Sequence, residues 1–227
     1  MLKALVTDVD GTITDGKRHL YLKAIEGLRL LEKKGMPVIL ATGNVEPITK
    51  GLSIYIGTTG PIISENGGVV SYRGERKLLA DRKNPDKAFE YAARHLPIRK
   101  TDTDIWRVTE VAIFTDVPVE EVRRSLEDFE GVKVNTTGFA IHIYNSGISK
   151  GRGLEIACSL LGISIEETVS IGDSENDVEM IERSGLGVAV KNASEVVRES
   201  ADIVLDKNNG EGILQLVRDL LSGRLSL

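Results

Sequence analysis

The chain has 227 residues, enough for one large domain or for a core with a smaller second domain. Hydrophobic residues make up 41%, an ordinary share for a protein with a sizeable core, and a net charge of −5 offers no basic field to a nucleic acid. The single cysteine, Cys158, excludes an internal disulfide and a thiolate metal cluster, and its place in a helical pattern predicts a buried, inert thiol. No apolar run reaches the length of a bilayer span, and Met1 leads straight into a strand-like run without a signal-peptide pattern. A cytoplasmic protein with no membrane or nucleic-acid partner is expected.

Lys3 to Thr7 reads as a short buried strand that ends in Asp8-Val9-Asp10-Gly11-Thr12. Residues two apart on a strand share a side, so Asp8 and Asp10 converge at the strand's carboxyl end, where open α/β sheets place their ligands. Two such close acids repel unless a cation or a shared proton relieves them, and magnesium, which prefers hard oxygen ligands, would serve. The plainer alternative is an acidic turn capping a helix. Ile13 to Leu20 is a polar loop. Tyr21 to Lys34 carries Leu22, Ile25, Leu28 and Leu31 at helical spacing, Gly35 stops that helix, and Pro37 to Ala41 is a second strand. Strand, helix and strand in this length predict a right-handed parallel unit. Thr42-Gly43-Asn44 then repeats the geometry of the opening motif. Its hydroxyl could reach a phosphate oxygen, and its glycine lets the backbone come close.

A helix follows from Pro47 with Ile48, Leu52 and Tyr55 on one face; then come a strand at Pro61 to Ser64, a turn Glu65-Asn66-Gly67-Gly68 read mainly as structural, and a hairpin from Val69 to Leu79. After Ala80 the texture changes to α+β order: a helix opening at Asn84 and Pro85, a strand at Val111 to Thr115, a helix from Pro118 to Phe129, and strands at Val132 to Asn135 and Phe139 to Tyr144. Residues 82–149 are therefore read as an inserted domain between core segments 1–81 and 150–227. Trp106 and Arg107 fall in a poorly patterned stretch. His142 faces the opposite side of its strand from Ile141 and Ile143, either towards a cleft or on the sheet surface. Alternation resumes with a helix opening at Lys150, where the dipole favours acids, which suggests a separate task for that lysine. A strand then runs into Gly172-Asp173-Ser174-Glu175-Asn176-Asp177, and two more strands and an amphipathic closing helix complete an α/β, Rossmann-like parallel-sheet core.

Taken together, these motifs resemble those of the haloacid dehalogenase (HAD) superfamily of aspartyl-nucleophile phosphatases. Asp8-Val9-Asp10-Gly11-Thr12 is similar to its first motif, Thr42 to its second, Lys150 to its third, and Gly172-Asp173-Ser174-Glu175-Asn176-Asp177 to its acidic fourth. The insertion between the second and third resembles the larger α/β cap of that superfamily, and the resemblance covers essentially the whole chain. The length, the compact cap and the Ala41-Thr42-Gly43-Asn44 form of the second motif are most similar to the archaeal phosphoglycolate phosphatases. Many relatives with this cap type carry arginine where Asn44 stands, which counts against a sugar-phosphate substrate.

The resemblance implies a magnesium-dependent phosphatase acting on a small phosphate monoester through an aspartyl-phosphate. Asp8 would be the nucleophile, and Asp10 would protonate the leaving alcohol and later activate water. Asp8, the Asp10 carbonyl, Asp173 and Asp177 would hold Mg2+, with Asn176 supporting them. Thr42, Gly43 and Lys150 would bind the phosphate. The substrate that the resemblance implies is 2-phosphoglycolate, with sugar phosphates or other small phosphorylated metabolites as the alternative within enzymes and a non-catalytic phosphate-binding module as the alternative outside them. Arg107 and Lys133 are candidates for meeting a substrate carboxylate, and residues 81–84 and 145–149, with Gly147, are candidate hinges. A monomer and a homodimer both fit the sequence.

Overall fold

In a computed structural model, residues 2–225 are described. The core is an eight-stranded sheet. Its first strands are β1 (Ala4–Thr7), β2 (Val38–Ala41), β3 (Ile62–Ser64), β4 (Val69–Tyr72) and β5 (Glu75–Leu78), and after the insertion come β9 (Thr168–Gly172), β10 (Leu186–Ala189) and β11 (Ile203–Val204). The spatial order is β11-β10-β9-β1-β2-β3-β4-β5. All pairings from β11 to β3 are parallel, and β4 and β5 add an antiparallel hairpin at one edge. Every residue of β1, β2 and β9 is buried, as expected of strands covered on both faces. Side chains alternate between two cores. Leu5 packs with Leu28 of helix α1 (Leu22–Lys33) and Val217 of α8 (Asn209–Leu221), whereas Ala4 and Val6 pack with Leu154 and Ala157 of α5 (Lys150–Leu161). Cys158 lies in the second core, and burial pushes its thiol up to about 12, so the inert thiol is as expected.

Strand order reverses at β1. The chain proceeds to β2 on one side and returns through β9 on the other. Carboxyl ends at such a reversal splay apart and leave a crevice. Asp8 follows β1, Thr42 follows β2, and Asp173 follows β9, so three sequence motifs arrive at one crevice.

A second, antiparallel sheet is built from β6 (Glu110–Ile113), β7 (Val132–Thr136) and β8 (Ile141–Asn145) in the order β6-β8-β7. Val111, Ile113, Ile141 and Ile143 pack on one face against Ala88 and Ala92 of α3 (Lys83–Ala92) and Val122 of α4 (Val119–Ser125). This separate core is what makes the insertion a cap. The opposite face of the sheet carries Glu110, Ala112 and His142, all buried against the parallel-sheet core.

Some local expectations give way. Leu22 stands 74% exposed at the start of α1 instead of joining Ile25, Leu28 and Leu31, and Tyr55 is exposed at the end of α2 (Glu46–Ile56). The first turn and last turn of a helix can lie beyond the surface they cover. Helix α3 begins at Lys83 because Asp81 accepts from the Lys83 N–H at 2.9 Å; Asn84 instead donates to the Glu130 carbonyl. Helix α4 ends at Ser125, although Leu126 and Phe129 still pack in the cap core.

Candidate active site

The crevice gathers charge. Asp8 is buried at the end of β1, and its Oδ1 accepts from Lys150 Nζ at 2.6 Å. The same ammonium donates to Asp177 Oδ1 at 2.7 Å. Lys150 can do this because Ser149 caps α5 through its side chain and sets Lys150 as the first helical residue, with its stem buried. Burial opposes that positive charge, but Asp177 and Asp8 together raise its pKa, so the lysine stays protonated. Asp177 uses its other oxygen on the backbone: Oδ2 accepts from the N–H groups of Asp173 and Ser174 at 3.1 and 3.0 Å. The capping function and the charge function of Asp177 are thus divided between its two oxygens. Asp173 accepts from the Thr12 hydroxyl at 3.0 Å.

Asp8, Asp173 and Asp177 each bring an oxygen within 4.8 Å of the others. Three carboxylates face one ammonium, and the excess is felt. Burial, then the neighbouring Asp177, pushes Asp173 up to about 6. Burial raises Asp8 well above the carboxylate range, against the pull of Lys150 and with the push of Asp177 and Asp173. Two buried acceptors in the crevice, Asp8 Oδ2 and Asn176 Oδ1, have no partner among the described residues. An oxygen-only donor set, surplus negative charge and unpartnered acceptors all fit a hard divalent cation. Backbone space is tight here as well. Gly11 has φ of 87°, and a Cβ at that position would lie 2.4 Å from Asp173 Oδ2.

Asp10 points elsewhere. Its Oδ1 accepts from Arg18 Nε at 2.8 Å and its Oδ2 from Asn44 Nδ2 at 2.7 Å. The separation of the two acids is therefore physical, with Asp8 on the lysine and Asp10 on the loop arginine. Thr42 Oγ1 accepts from both the backbone N–H and the side-chain amide of Asn44, each at 3.1 Å, which leaves its own hydrogen for an incoming acceptor. Gly43 is pressed between layers: a Cβ there would lie 3.1 Å from Asn66 Oδ1 and 3.4 Å from His142 Cε1.

The roof of the crevice is the inner face of the cap sheet. Glu110, fully buried, receives Asn66 Nδ2 at 2.7 Å on Oε2, and the His142 ring at 2.9 Å together with Arg107 on Oε1. Burial, then Arg107, lowers the His142 pKa well below its ordinary value, so the ring is neutral. With Nδ1–H donated to Glu110, Nε2 accepts from the Thr137 hydroxyl at 3.2 Å. Arg107 also donates to the Gly43 carbonyl at 2.9 Å, and burial pulls its pKa down to about 10 against the opposing charges of Glu65 and Asp104. Asn66 Oδ1 in turn receives Asn176 Nδ2 at 2.8 Å. A continuous chain of side chains thus runs from the cap, through the turn after β3, to the acidic loop after β9. Between cap and core, beside Lys150 and Asn176, lies a cavity of about 620 Å³ whose walls include Lys133, Arg123 and Tyr144.

A family model described as haloacid dehalogenase-like hydrolase matches residues 5–128 and 97–217. The chain belongs to the haloacid dehalogenase-like hydrolase family. Among curated relatives of this hydrolase, a phosphoglycolate phosphatase of Methanothermobacter thermautotrophicus is 43% identical over 217 residues, covering 96% of this chain and 98% of that one. A phosphoglycolate phosphatase of Methanopyrus kandleri is 41% identical over 227 residues, covering 97% and 98%. A crystal structure of protein 0175 from Thermoplasma acidophilum superposes with a TM-score of 0.90 at 30% identity, covering 97% of this chain and 99% of that one.

Within the hydrolase, Asp8, Lys150, Asp173 and Asp177 meet directly, Thr42 and Gly43 stand beside Asp10 and the roof, and Asn176 reaches the cluster's edge through its loop. Two features, Asn66 and Arg18, lie outside the sequence reading, and His142 takes the cleft-facing side of the two offered. Asn66 is a relay as well as a turn residue, at φ of 56°. His142 lies in the cap–core interface rather than on a free sheet surface. Arg18 holds Asp10. The alternation around His142 gave the only advance signal, since it separated that ring from the isoleucine face.

Proposed function

We propose that this HAD-family hydrolase is a magnesium-dependent phosphatase that converts 2-phosphoglycolate to glycolate and phosphate through an aspartyl-phosphate. Hydrolysis of phosphoric monoesters, the coarser statement, is supported by the family and by relatives aligned along nearly their whole length. The observation that carries the chemistry is the division of the acids. Asp8 is held by Lys150 at one oxygen and bare at the other, while Asp10 stands apart with its own donors.

In this reading the bare Asp8 oxygen forms the bond to phosphorus. Lys150 keeps its charge throughout and, with the Thr42 hydroxyl and the backbone at Gly43, binds the phosphoryl oxygens. Asp10 gives a proton to the departing alcohol oxygen and then takes one from the water that cleaves the aspartyl-phosphate. Asp8, Asp173 and Asp177, with the Asp10 carbonyl and support from Asn176, would hold Mg2+, which when bound neutralises the anionic charge between nucleophile and phosphate. The cap, residues 82–149 with hinges at 81–84 and 145–149, excludes water from the site and limits the leaving group. The protein acts in the cytoplasm as a monomer or homodimer; no described helix is long and apolar enough to cross a membrane.

A panel of small phosphorylated metabolites, compared by kcat/KM with magnesium present, tests the substrate. Phosphoglycolate is expected to lead by at least about tenfold, the worth of one additional charge-assisted hydrogen bond. A sugar phosphate in first place would replace it.

A further inference from the structure

The loop arginine beside Asp10 has no assigned task. Arg18 sits at φ of 64°, unusual for a side chain of its size, in a loop closed on Asp15: the Arg18 N–H donates to the Asp15 carbonyl at 2.9 Å, and the Asp15 carboxylate receives the N–H groups of Lys17 and His19. The guanidinium contacts the core through Nε on Asp10 and lies 3.7 Å from the centroid of Phe139, a cap residue. Neither terminal nitrogen has a hydrogen-bond partner among the described residues. An arginine held in a strained loop, lying over a cap ring and with its two forked donors free among the described residues, is prepared for a planar anion.

We propose that Arg18 is the residue that reads the carboxylate of the leaving group, exchanging Asp10 for that carboxylate when substrate binds. The proposal rests on the phosphoglycolate reading above. One methylene separates the carboxylate from the bridging oxygen, so its oxygens lie about 3 Å from the atom that Asp10 must protonate, and their donor within about 3 Å more. Arg18 meets this reach because it already touches Asp10. The other candidate cations do not. Arg107 is committed to Glu110 and the Gly43 carbonyl, and the opposite charges acting on it are those of Glu65 and Asp104. Lys133 is exposed and lines the cavity beside Lys150 and Asn176, whose walls do not include Asp10.

The exchange also couples recognition to chemistry. In the structure both Asp10 oxygens are occupied, by Arg18 and Asn44. A substrate carboxylate that draws Arg18 away frees Oδ1 for the leaving-group oxygen. A neutral leaving group cannot make that trade and must break the ion pair without return.

Wild type, Arg18→Gln and Arg18→Lys are compared on 2-phosphoglycolate and on ethyl phosphate, which has the same carbon count and no carboxylate. For Arg18→Gln, kcat/KM on phosphoglycolate is expected to fall about 10- to 100-fold, the range for a lost hydrogen bond between charged groups. On ethyl phosphate only the loss common to both substrates, from releasing Asp10, is expected, so the ratio of the two kcat/KM values falls, and Arg18→Lys is expected to recover part of the preference. Phe139→Leu, which removes the flat support, is expected to lose a smaller part of it. A damaged fold or a general effect on Asp10 would lower both substrates together and leave their ratio intact, which would overturn the proposal. If wild type prefers phosphoglycolate and Arg18→Gln retains that preference, the inference alone fails. If wild type shows no preference for the carboxylate, the substrate reading fails with it.

Discussion

Two buried charge clusters face each other across the crevice, and they are balanced differently. In the roof, every donor turned towards Glu110 comes from the protein: Arg107, His142 and Asn66 together satisfy both of its oxygens. At the sheet ends, Asp8 and Asp177 share Lys150, Asp173 beside them accepts from the Thr12 and Ser174 hydroxyls, and among the described residues Asp8 Oδ2 is left without a partner. A carboxylate whose two oxygens are both met by neighbouring side chains fixes parts in place. A cluster short of positive charge stores a demand that a ligand meets. The same low-dielectric burial thus serves rigidity on one side and binding on the other.

Removing a charge should consequently do opposite things on the two sides. Asp8→Asn is expected to abolish turnover, by at least about 10⁴-fold, because the nucleophile is gone. The same change relieves crowded carboxylates, so the unfolding midpoint of the EDTA-treated protein should hold or rise. Stopped assays and thermal melts on one preparation would check both, and near-normal turnover would remove Asp8 from the role of nucleophile. Glu110→Ala is expected to lose about 3–5 kcal/mol of stability in urea unfolding, because it takes the carboxylate partner from the buried Arg107 charge and leaves the His142 Nδ1–H without an acceptor. Glu110→Gln keeps the shape and should lose less. A Glu110→Ala protein as stable as wild type would mean that the roof network carries no net energy.

The smallest effect is one of pH. Asp173 titrates near 6 in the folded protein against an ordinary 3.8, so between those values the folded state holds more protons than the unfolded one. Stability of the metal-free protein contributed by this group is therefore full below about pH 4, falls as pH rises to about 6, and is level above. Unfolding curves with EDTA from pH 4 to 7 should show this slope in wild type and lack its share in Asp173→Asn. Adding Mg2+ should flatten it, since the bound ion favours the ionised carboxylate. Equal slopes for the two EDTA-treated proteins would contradict the assignment.

The acidic end of the site was readable in advance because its logic is local. An acid at a strand end, a glycine that must turn there, and a lysine misplaced at a helix start each announce themselves within a few residues; the expected convergence of Asp8 with Asp10 fails, because β1 ends at Thr7 and Asp10 turns to Arg18 and Asn44. The roof was not readable in this way. Asn66 and Glu110 are 44 residues apart, and Asn66 and Asn176 are 110 apart. A polar side chain in a turn looks solvated until the fold brings something over it. His142 shows the boundary between the two cases. Alternation placed it opposite the isoleucines, but only the docking of the cap sheet determined that its side is buried. The longer helix expected over residues 118–129 failed for the converse reason: Leu126 and Phe129 keep helical spacing and reach the cap core, while the backbone has already left the helix after Ser125.

The pairing of β1 with β9 sets Ala4 beside Thr168, with the whole cap encoded between them. Contacts of that span close late, because a long loop must be drawn together before they return anything. The cap's own sheet joins strands within residues 110–145 and can form while the carboxyl-terminal third is still being made. The crowded carboxylates therefore come together only when the sheet that confines them is nearly complete. A growing chain carries each acid singly and in water, and meets their mutual repulsion at the last step, when burial elsewhere is already sufficient to hold it.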